Sequence, residues 1–235
     1  MTHAFAFVAA ALILFIVGAY LTRPKRYYLI RHGRTLLNEA RIKQGPEGAL
    51  SDAGKKQARH VAQYLARFQI EKIYTSPYER AQETASIMKN VLGATVATTE
   101  LLRERKNPSE VLGKRTDDPA VQRIIDQIEL GYHDDDFRYS DEETFAEQKA
   151  RAKQCLSYLA SRSEHRVVVV THHAFLKMLL AYMLYRNDLH AGDFVRLSFF
   201  NQSDNGGISI CEYHPLRRFN TTRGWRVLSY NEQLG

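Results

Sequence analysis

The stretch YYLIRHG, residues 27–33, places Arg31, His32 and Gly33 directly after four apolar or aromatic residues. Such a short run is typical of a buried β-strand, and ligands in open α/β sheets bind beyond the carboxyl ends of the strands. A neutral imidazole there can act as a nucleophile, an arginine can hold an anion, and a glycine lets the backbone turn tightly. The stretch therefore predicts a strand with a candidate anion site at its end.

From residue 25 onward, short apolar segments alternate with amphipathic ones. This pattern favours a largely parallel sheet with helices packed on its faces. The clearest strand is RVVVVT at 166–171, because five β-forming residues in succession fit a strand covered on both sides. We expect this strand to be central, and we predict further strands at 70–74, 95–98, 194–200, 208–213 and 225–230.

Helices are predicted where apolar residues recur at spacings of three and four. Four are expected: one capped by Ser51, one from 76 to 93, one opening at 118, and one from 141 to about 161. The third helix and the acidic stretch at 131–140 are interpreted as an insertion between sheet elements. The chain from 27 to 235 is thus predicted to be one three-layer α/β/α domain with a helical insertion at about 105–140.

The amino terminus contains an apolar run. Residues 4–21 carry no charged side chain, and a helix of that length, about 27 Å, is just long enough to cross a bilayer. The cations Arg23, Lys25 and Arg26 follow the run, so the positive-inside rule places the rest of the chain in the cytoplasm. We expect a single-pass anchor at 1–22 and a basic linker at 23–26; the alternative is a signal peptide, cleaved after the small residues at 17–19.

The chain is basic, with a formal net charge of +7. An excess of positive charge favours anionic partners such as a phosphorylated substrate, an acidic lipid or a nucleic acid. No nucleic-acid-binding module is recognisable, so a small phosphorylated substrate is preferred. Cys155 and Cys211 lack CxxC spacing and are interpreted as buried thiols. The pair His172-His173 has no accompanying carboxylate or cysteine spacing, so no metal site is expected.

Four chemically versatile side chains follow predicted strands: His32, Arg80, Glu104 and His172. Because the carboxyl ends of parallel strands lie at one edge of a sheet, we expect these groups to converge there, together with Arg31. Two arginines, two histidines and one carboxylate suit phosphoryl transfer. The cations hold the phosphoryl oxygens, an imidazole attacks, and a carboxylic acid protonates the departing oxygen.

The sequence RHGRT at 31–35, followed by Asn38, resembles the signature of the histidine phosphatase superfamily, whose fold is phosphoglycerate-mutase-like. Further similar motifs are Gln44-Gly45 with LSxxG at 50–54, TSPYERAxxTA at 75–85, LRER at 102–105, VTH at 170–172 and LSYN at 228–231. The resemblance covers essentially residues 26–231.

The resemblance implies that His32 becomes phosphohistidine and that Arg31, Arg80 and His172 surround the phosphoryl group. It also implies that Glu104 is the general acid and then the general base. Asn38, Gln44 and Gly45 would contribute to substrate binding, and no metal or other cofactor is implied. Substrate specificity is expected to come from the loop after Asn38 and from the insertion between Glu104 and Asp141.

Several positions depart from the family pattern or allow another interpretation. His173 stands where the family often has glycine; His172 is preferred as the site residue because it directly follows the strand. Arg34, Leu37 and the segment 105–109 differ from what is usual in mutases. Glu104 lies among cations and could form a surface ion pair, and Asn38 could cap a turn.

These features predict a metal-independent phosphomonoesterase that acts on soluble substrates. The alternatives are a phosphoglycerate-mutase-type phosphotransferase, a protein phosphohistidine phosphatase, and an inactive phosphate-binding sensor or scaffold. The sequence leaves the oligomeric state open.

Overall fold

The apolar run at 27–30 forms the middle of strand β1 (Lys25–Arg31) in the computed structural model. Lys25 and Arg26, predicted as part of a basic linker, therefore belong to the strand, because their backbone pairs with β5. The structure describes residues 12, 18, 22–131, 133–200, 202–216 and 224–234. The strands that follow are β2 (Lys72–Thr75), β3 (Thr95–Thr98), β4 (Arg166–Thr171), β5 (Ile208–Tyr213) and β6 (Trp225–Glu232). Within the described residues they form one sheet, in the order β3-β2-β4-β1-β5-β6.

The sheet is mostly parallel. Strand β4 lies between β1 and β2 and pairs with both in parallel, and β3 pairs in parallel with β2. Strands β5 and β6 complete the other side with antiparallel pairing. The four valines at 167–170 are fully buried. The predicted central position of this strand is thus confirmed.

The helices connect the strands and cover both faces of the sheet. They are α1 (Leu36–Glu39), α2 (Asp52–Leu65), α3 (Glu79–Leu92), α4 (Pro119–Leu130), α5 (Phe145–Ala160), α6 (His173–Tyr185) and α7 (Ala191–Phe200). Single 3-10 turns lie at Ala66–Phe68, Glu100–Leu102, Ser109–Val111 and Arg186–Asp188.

Alternate side chains of the central strands enter two separate cores, because neighbouring residues of a strand point to opposite faces. Tyr27 and Val169 pack with α5 and α6 on one face. Tyr28 and Val168 pack with α2 and α3 on the other face. The predicted three-layer α/β/α architecture is confirmed.

The prediction of a strand at 194–200 was wrong, because these residues belong to helix α7. The aromatic and β-branched residues favour a strand locally, but the start of the helix is held from outside the segment. The Asp135 carboxylate accepts a hydrogen bond from the backbone N–H of Ala191, and the carbonyl of His190 accepts from Phe194. Tertiary contacts therefore override local preference at this point.

Two predicted helices begin later in the structure. Helix α5 starts at Phe145, because Thr144 and Glu147 form a reciprocal capping box. Helix α3 starts at Glu79, so Arg80 lies in its first turn. Cys155 and Cys211 are buried free thiols, as predicted.

None of the helices in the described part of the chain is long and apolar enough to cross a membrane. The anchor predicted at 4–21 lies outside the described residues, apart from Leu12 and Gly18.

Candidate active site

Three strands end at one edge of the sheet, and each delivers a polar residue there. His32 follows β1, Ser76 follows β2 and His172 follows β4. The pairing of the strands continues beyond their ends: the N–H of His32 donates to the carbonyl of Thr171 (3.0 Å), and the N–H of Ser76 donates to that of Val170 (3.1 Å). The backbone of the sheet thus sets the positions of these three side chains.

The turn after His32 packs very closely against the first turn of α2. A Cβ atom on Gly33 would lie 2.5 Å from the carbonyl oxygen of Gly54, and one on Gly54 would lie 1.9 Å from that of Arg34. Neither position accommodates a side chain. The N–H of Gly33 also donates to Thr84 Oγ1 of α3 (3.1 Å). The glycines let two helices hold the backbone next to His32.

His32 is almost completely buried, at 3% exposure. Its Nδ1 lies 2.8 Å from the carbonyl oxygen of Gly33, which can only accept a hydrogen bond. We therefore assign the proton to Nδ1, which leaves the lone pair on Nε2. Arg80 Nε donates to that lone pair (3.2 Å). The geometry thus makes Nε2 the unprotonated, nucleophilic atom of the ring, held by Arg80.

Arg80 also connects the two histidines of the site. The same Nε donates to His172 Nδ1 (3.2 Å), and His172 Nε2 lies 2.7 Å from Ser76 Oγ. The other end of the guanidinium donates to the carbonyl of Gly45 (2.7 Å). The His32 and His172 rings lie 5.1 Å apart between centroids. Arg80 thus holds both imidazoles towards one point.

The imidazoles are neutral in this arrangement. Burial holds the pKa values of His32 and His172 well below 6.5, and the charges of Arg80 and Arg31 lower them further. The hydrogen bonds agree, because the ring nitrogens that face Arg80 can accept its N–H only when they are unprotonated.

Arg31 also lines the cavity and lies next to the turn after helix α7. Its NH1 donates to the carbonyl of Ser203, and its Nε is buried without a hydrogen-bond partner among the described residues. Burial lowers the pKa of Arg31, while the carboxylates of Glu104 and Asp204 oppose that shift. The guanidinium thus brings a buried positive charge to the cavity that His32 lines.

Glu104 lies at the amino terminus of helix α6. Its carboxylate accepts hydrogen bonds from the backbone N–H groups of Ala174 (3.1 Å), Phe175 (2.9 Å) and Arg105 (2.9 Å). Burial raises its pKa, but these backbone hydrogen bonds lower it, and the net shift is downward. Glu104 is therefore ionised in the free site, as expected for an anion at a helix amino terminus.

The predicted binding residues fall into two groups. Asn38 and Gln44 line the cavity, although both also bind Thr35: Asn38 forms a capping box with it, and Gln44 Oε1 accepts from its hydroxyl (2.9 Å). The alternative role of Asn38 as a cap is therefore present in the structure. Gly45 acts through its carbonyl, which holds Arg80.

The cavity at this edge of the sheet has a volume of about 280 Å³. It is lined by Arg31, His32, Arg80, Glu104 and His173, among others. His172, the predicted site residue, is fully buried and contacts Arg80 but is not part of the lining. His173 is part of the lining, lies beside Glu104 and binds Ser203 Oγ through Nδ1 (2.7 Å). Across the described ranges, no group of three or more His, Cys, Asp or Glu residues is placed to hold a metal ion.

Several polar residues at the site were not identified as site residues from the sequence, and three of them form hydrogen bonds with the histidines. Ser76 contacts His172, Ser203 contacts His173, and Asn205 Nδ2 donates to the carbonyl of His32 (2.9 Å). Ser76 could have been found, because it follows β2 just as His32 follows β1. Ser203 and Asn205 lie in a turn remote in sequence, and no local pattern marks them.

Comparison with known proteins agrees with this geometry. Residues 27–231 match the family model of the histidine phosphatase superfamily (branch 1). A protein from Erwinia tasmaniensis named "Probable phosphoglycerate mutase GpmB" is 30% identical over 165 residues, which cover 67% of this chain and 74% of that protein. A protein of the same name from Yersinia pestis is 42% identical over 78 residues, 33% of this chain and 36% of that protein.

Solved structures share the fold. The alpha-ribazole phosphatase from Shigella flexneri superposes with a TM-score of 0.70 at 18% identity and covers 88% of this chain and 96% of its own. A mycobacterial glucosyl-3-phosphoglycerate phosphatase gives a TM-score of 0.70 at 21% identity, covering 89% of this chain and 100% of its own.

The fold and the site define an α/β protein with two histidines and two arginines at the carboxyl edge of a parallel sheet. The chain belongs to the histidine phosphatase superfamily. Its relatives include proteins named as mutases, and its fold neighbours include proteins named as phosphatases.

Proposed function

We propose that the protein is a phosphomonoesterase that hydrolyses small phosphorylated substrates through a phosphohistidine intermediate on His32. One observation carries the proposal: a buried, neutral His32 has its Nε2 lone pair directed at Arg80, and both residues line the same cavity. A neutral imidazole with its lone pair free is the form that can attack phosphorus.

In the first half-reaction, the phosphoryl oxygens accept hydrogen bonds from the N–H groups of Arg80 and Arg31. A charged oxygen is a stronger acceptor than an imidazole nitrogen, so substrate binding releases Nε2 of His32. Nε2 then bonds to phosphorus, the bond between phosphorus and the leaving oxygen breaks, and Glu104 donates a proton to that oxygen.

Glu104 must be protonated for this step, although it is ionised in the free site. A bound phosphoryl dianion brings negative charge next to the carboxylate and raises its pKa, and it raises the pKa of His172 in the same way. Protonated His172 can donate from Nδ1 to a phosphoryl oxygen. The bound substrate thereby brings both groups into their working protonation states.

In the second half-reaction, Glu104 acts as a base. It takes a proton from a water molecule, the water oxygen bonds to phosphorus, and the bond between phosphorus and Nε2 breaks. Inorganic phosphate leaves, and His32 returns to its neutral form.

The test is a panel of soluble phosphomonoesters with the full chain in the presence of a chelator. His32→Ala should lower kcat/KM by at least about a thousandfold, as expected for loss of a nucleophile. His60→Ala, an exposed histidine on α2, should leave it unchanged. Full activity of His32→Ala, or activity that requires a metal, would refute the mechanism.

Glu104→Gln separates the two half-reactions. With p-nitrophenyl phosphate, whose leaving group needs no protonation, His32 should still be phosphorylated while hydrolysis of the intermediate slows. We expect an initial burst of nitrophenol and an acid-labile phosphate on the protein. Equal slowing of the burst and of the steady state would show that Glu104 is not the base.

The second candidate function is a phosphoglycerate-mutase-type phosphotransferase, favoured by the name of the Erwinia relative. The test compares two rates: phosphoryl transfer from a bisphosphate to phosphoglycerate, and release of inorganic phosphate. Faster transfer would favour the phosphotransferase function over hydrolysis.

We also propose that residues 4–21 anchor the protein in a membrane, with the domain on the cytoplasmic side. The uncharged run and the three cations that follow it support this placement. The full chain should stay in the membrane fraction at alkaline pH, and the double substitution Leu12→Arg with Leu14→Arg should release it. A wild-type chain recovered in the supernatant would contradict the anchor.

A further inference from the structure

A second cavity opens directly from the first. It has a volume of about 520 Å³, within the range of pockets that hold small organic ligands. The two cavities share Lys43, Arg105, Asn107, His173 and Ala174 in their linings. A substrate whose phosphoryl group lies at His32 would therefore extend its leaving group into the second cavity.

Part of the lining of the second cavity is apolar. Pro108 and Val111 come from the segment after Glu104, Ile125 and Ile128 from helix α4, and Phe194 from helix α7. Val111 is 1% exposed and Ile128 9%, so this wall is a firmly packed part of the domain. An apolar or aromatic group would bury its surface here, whereas a polyol would lose hydration without replacement.

Other residues of the same lining are cationic. Lys43, Arg105 and Lys177 line the cavity, and Glu129 is the carboxylate on the same lining. Lys177 lies four residues after His173 on helix α6 and so on the same face. Burial lowers the pKa values of Lys43 and Lys177, and the charge of Arg105 lowers both further, while Glu104 and Glu129 oppose this. Positive charge remains in excess, so an anion bound here would be stabilised.

We propose that the leaving group of the substrate is an apolar or aromatic body that carries a second anion, a carboxylate or a phosphate, and that this part binds in the second cavity. The proposal rests on the phosphatase function proposed above. The anion binds between Lys43 and Lys177, and the body lies against Ile125 and Phe194.

The test compares 4-carboxyphenyl phosphate with 4-carbamoylphenyl phosphate, which differ in charge but hardly in size or leaving-group chemistry. The kcat/KM of the wild type should be at least about tenfold higher for the carboxylate, because a hydrogen bond to a charged group usually contributes at least about this factor. Lys177→Met should lower this ratio at least about threefold. Lys153→Met, an exposed lysine on α5 that lines neither cavity, should leave the ratio unchanged.

The apolar wall is tested by binding. The dissociation constant of 4-carboxyphenylphosphonate should be at least about tenfold lower than that of phosphonoacetate, which has the two anions without the ring. Ile125→Asn should reduce that difference.

The outcomes separate the two proposals. Hydrolysis of both phenyl phosphates at equal rates, or a ratio unaffected by Lys177→Met, would overturn the assignment of the second cavity and leave the phosphatase function intact. Lack of hydrolysis of every ester would contradict the phosphatase function. The dissociation constants of 4-carboxyphenylphosphonate and 4-carbamoylphenylphosphonate would then still decide whether the second cavity prefers an anion.

Discussion

Glu143→Gln is expected to destabilise the domain strongly, because Glu143 is the centre of a buried ion-pair cluster. Its carboxylate accepts two hydrogen bonds from Arg151 (2.7 and 2.6 Å) and two from Arg103 (3.2 and 3.1 Å). Arg151 also donates to the carbonyls of Leu101 and Arg103. The cluster therefore holds the segment that leads into Glu104.

The magnitude follows from burial. The side chain of Glu143 is 5% exposed and that of Arg151 9%, and removal of one partner from such a pair costs roughly 3–5 kcal/mol. A domain of this size loses about 2–4 °C in Tm per kcal/mol. The Tm of Glu143→Gln should thus fall by roughly 6–20 °C, and kcat should fall with it because Glu104 loses its support.

Glu147→Gln is the matched control, four residues further along. Its carboxylate is 53% exposed and pairs with Arg138 at the surface, and glutamine can replace glutamate in the capping box with Thr144. This change should cost less than about 1 kcal/mol. Thermal unfolding and kcat/KM measured side by side check the pair, and equal losses of Tm in the two variants would refute the assignment of Glu143 as a structural centre.

Two further predictions concern the histidines. Ser76→Ala should lower kcat about tenfold, because the buried Nε2–H of His172 loses its acceptor. Ser76→Thr, which keeps a hydroxyl, should retain most of the wild-type kcat. A Thr variant as slow as the Ala variant would count against the role of Ser76 as the acceptor for His172. Because burial holds the pKa values of His32 and His172 below 6.5, the unfolded chain binds more protons below that pH. The contribution of the two buried histidines to stability should therefore be complete above pH 6.5 and decrease below it. His172→Asn should flatten the dependence of Tm on pH between 6.5 and 5. An unchanged slope would contradict the burial of a neutral imidazole.

The strands of the sheet were predictable where the residue types themselves indicate how the segment is buried. The valines of β4 indicate a strand covered on both faces, and they lie at the centre of the sheet. Residues 194–200 were mispredicted, because the contact that begins helix α7 comes from Asp135, far away in sequence. Local pattern carries no information about such a contact.

The site was predictable to a similar degree. His32, Arg80 and His172 were singled out because each follows a strand, and the structure brings Arg80 within hydrogen-bond distance of both histidines. The proton position on His32 and the ionisation of Glu104 were not predictable, because they depend on which backbone groups lie beside each ring or carboxylate.

The sequence by itself determined the strands of the sheet, four of the helices, the family, and the identity of the groups at the sheet edge. Periodicity and short motifs are properties of neighbouring residues, so they can be recognised without coordinates. Only the tertiary structure decided that Arg80 links both histidines, that Glu104 lies on the amino terminus of α6, and that a second cavity with Lys43 and Lys177 continues from the first. These features arise between segments distant in the chain, where burial and hydrogen bonding depend on packing in space.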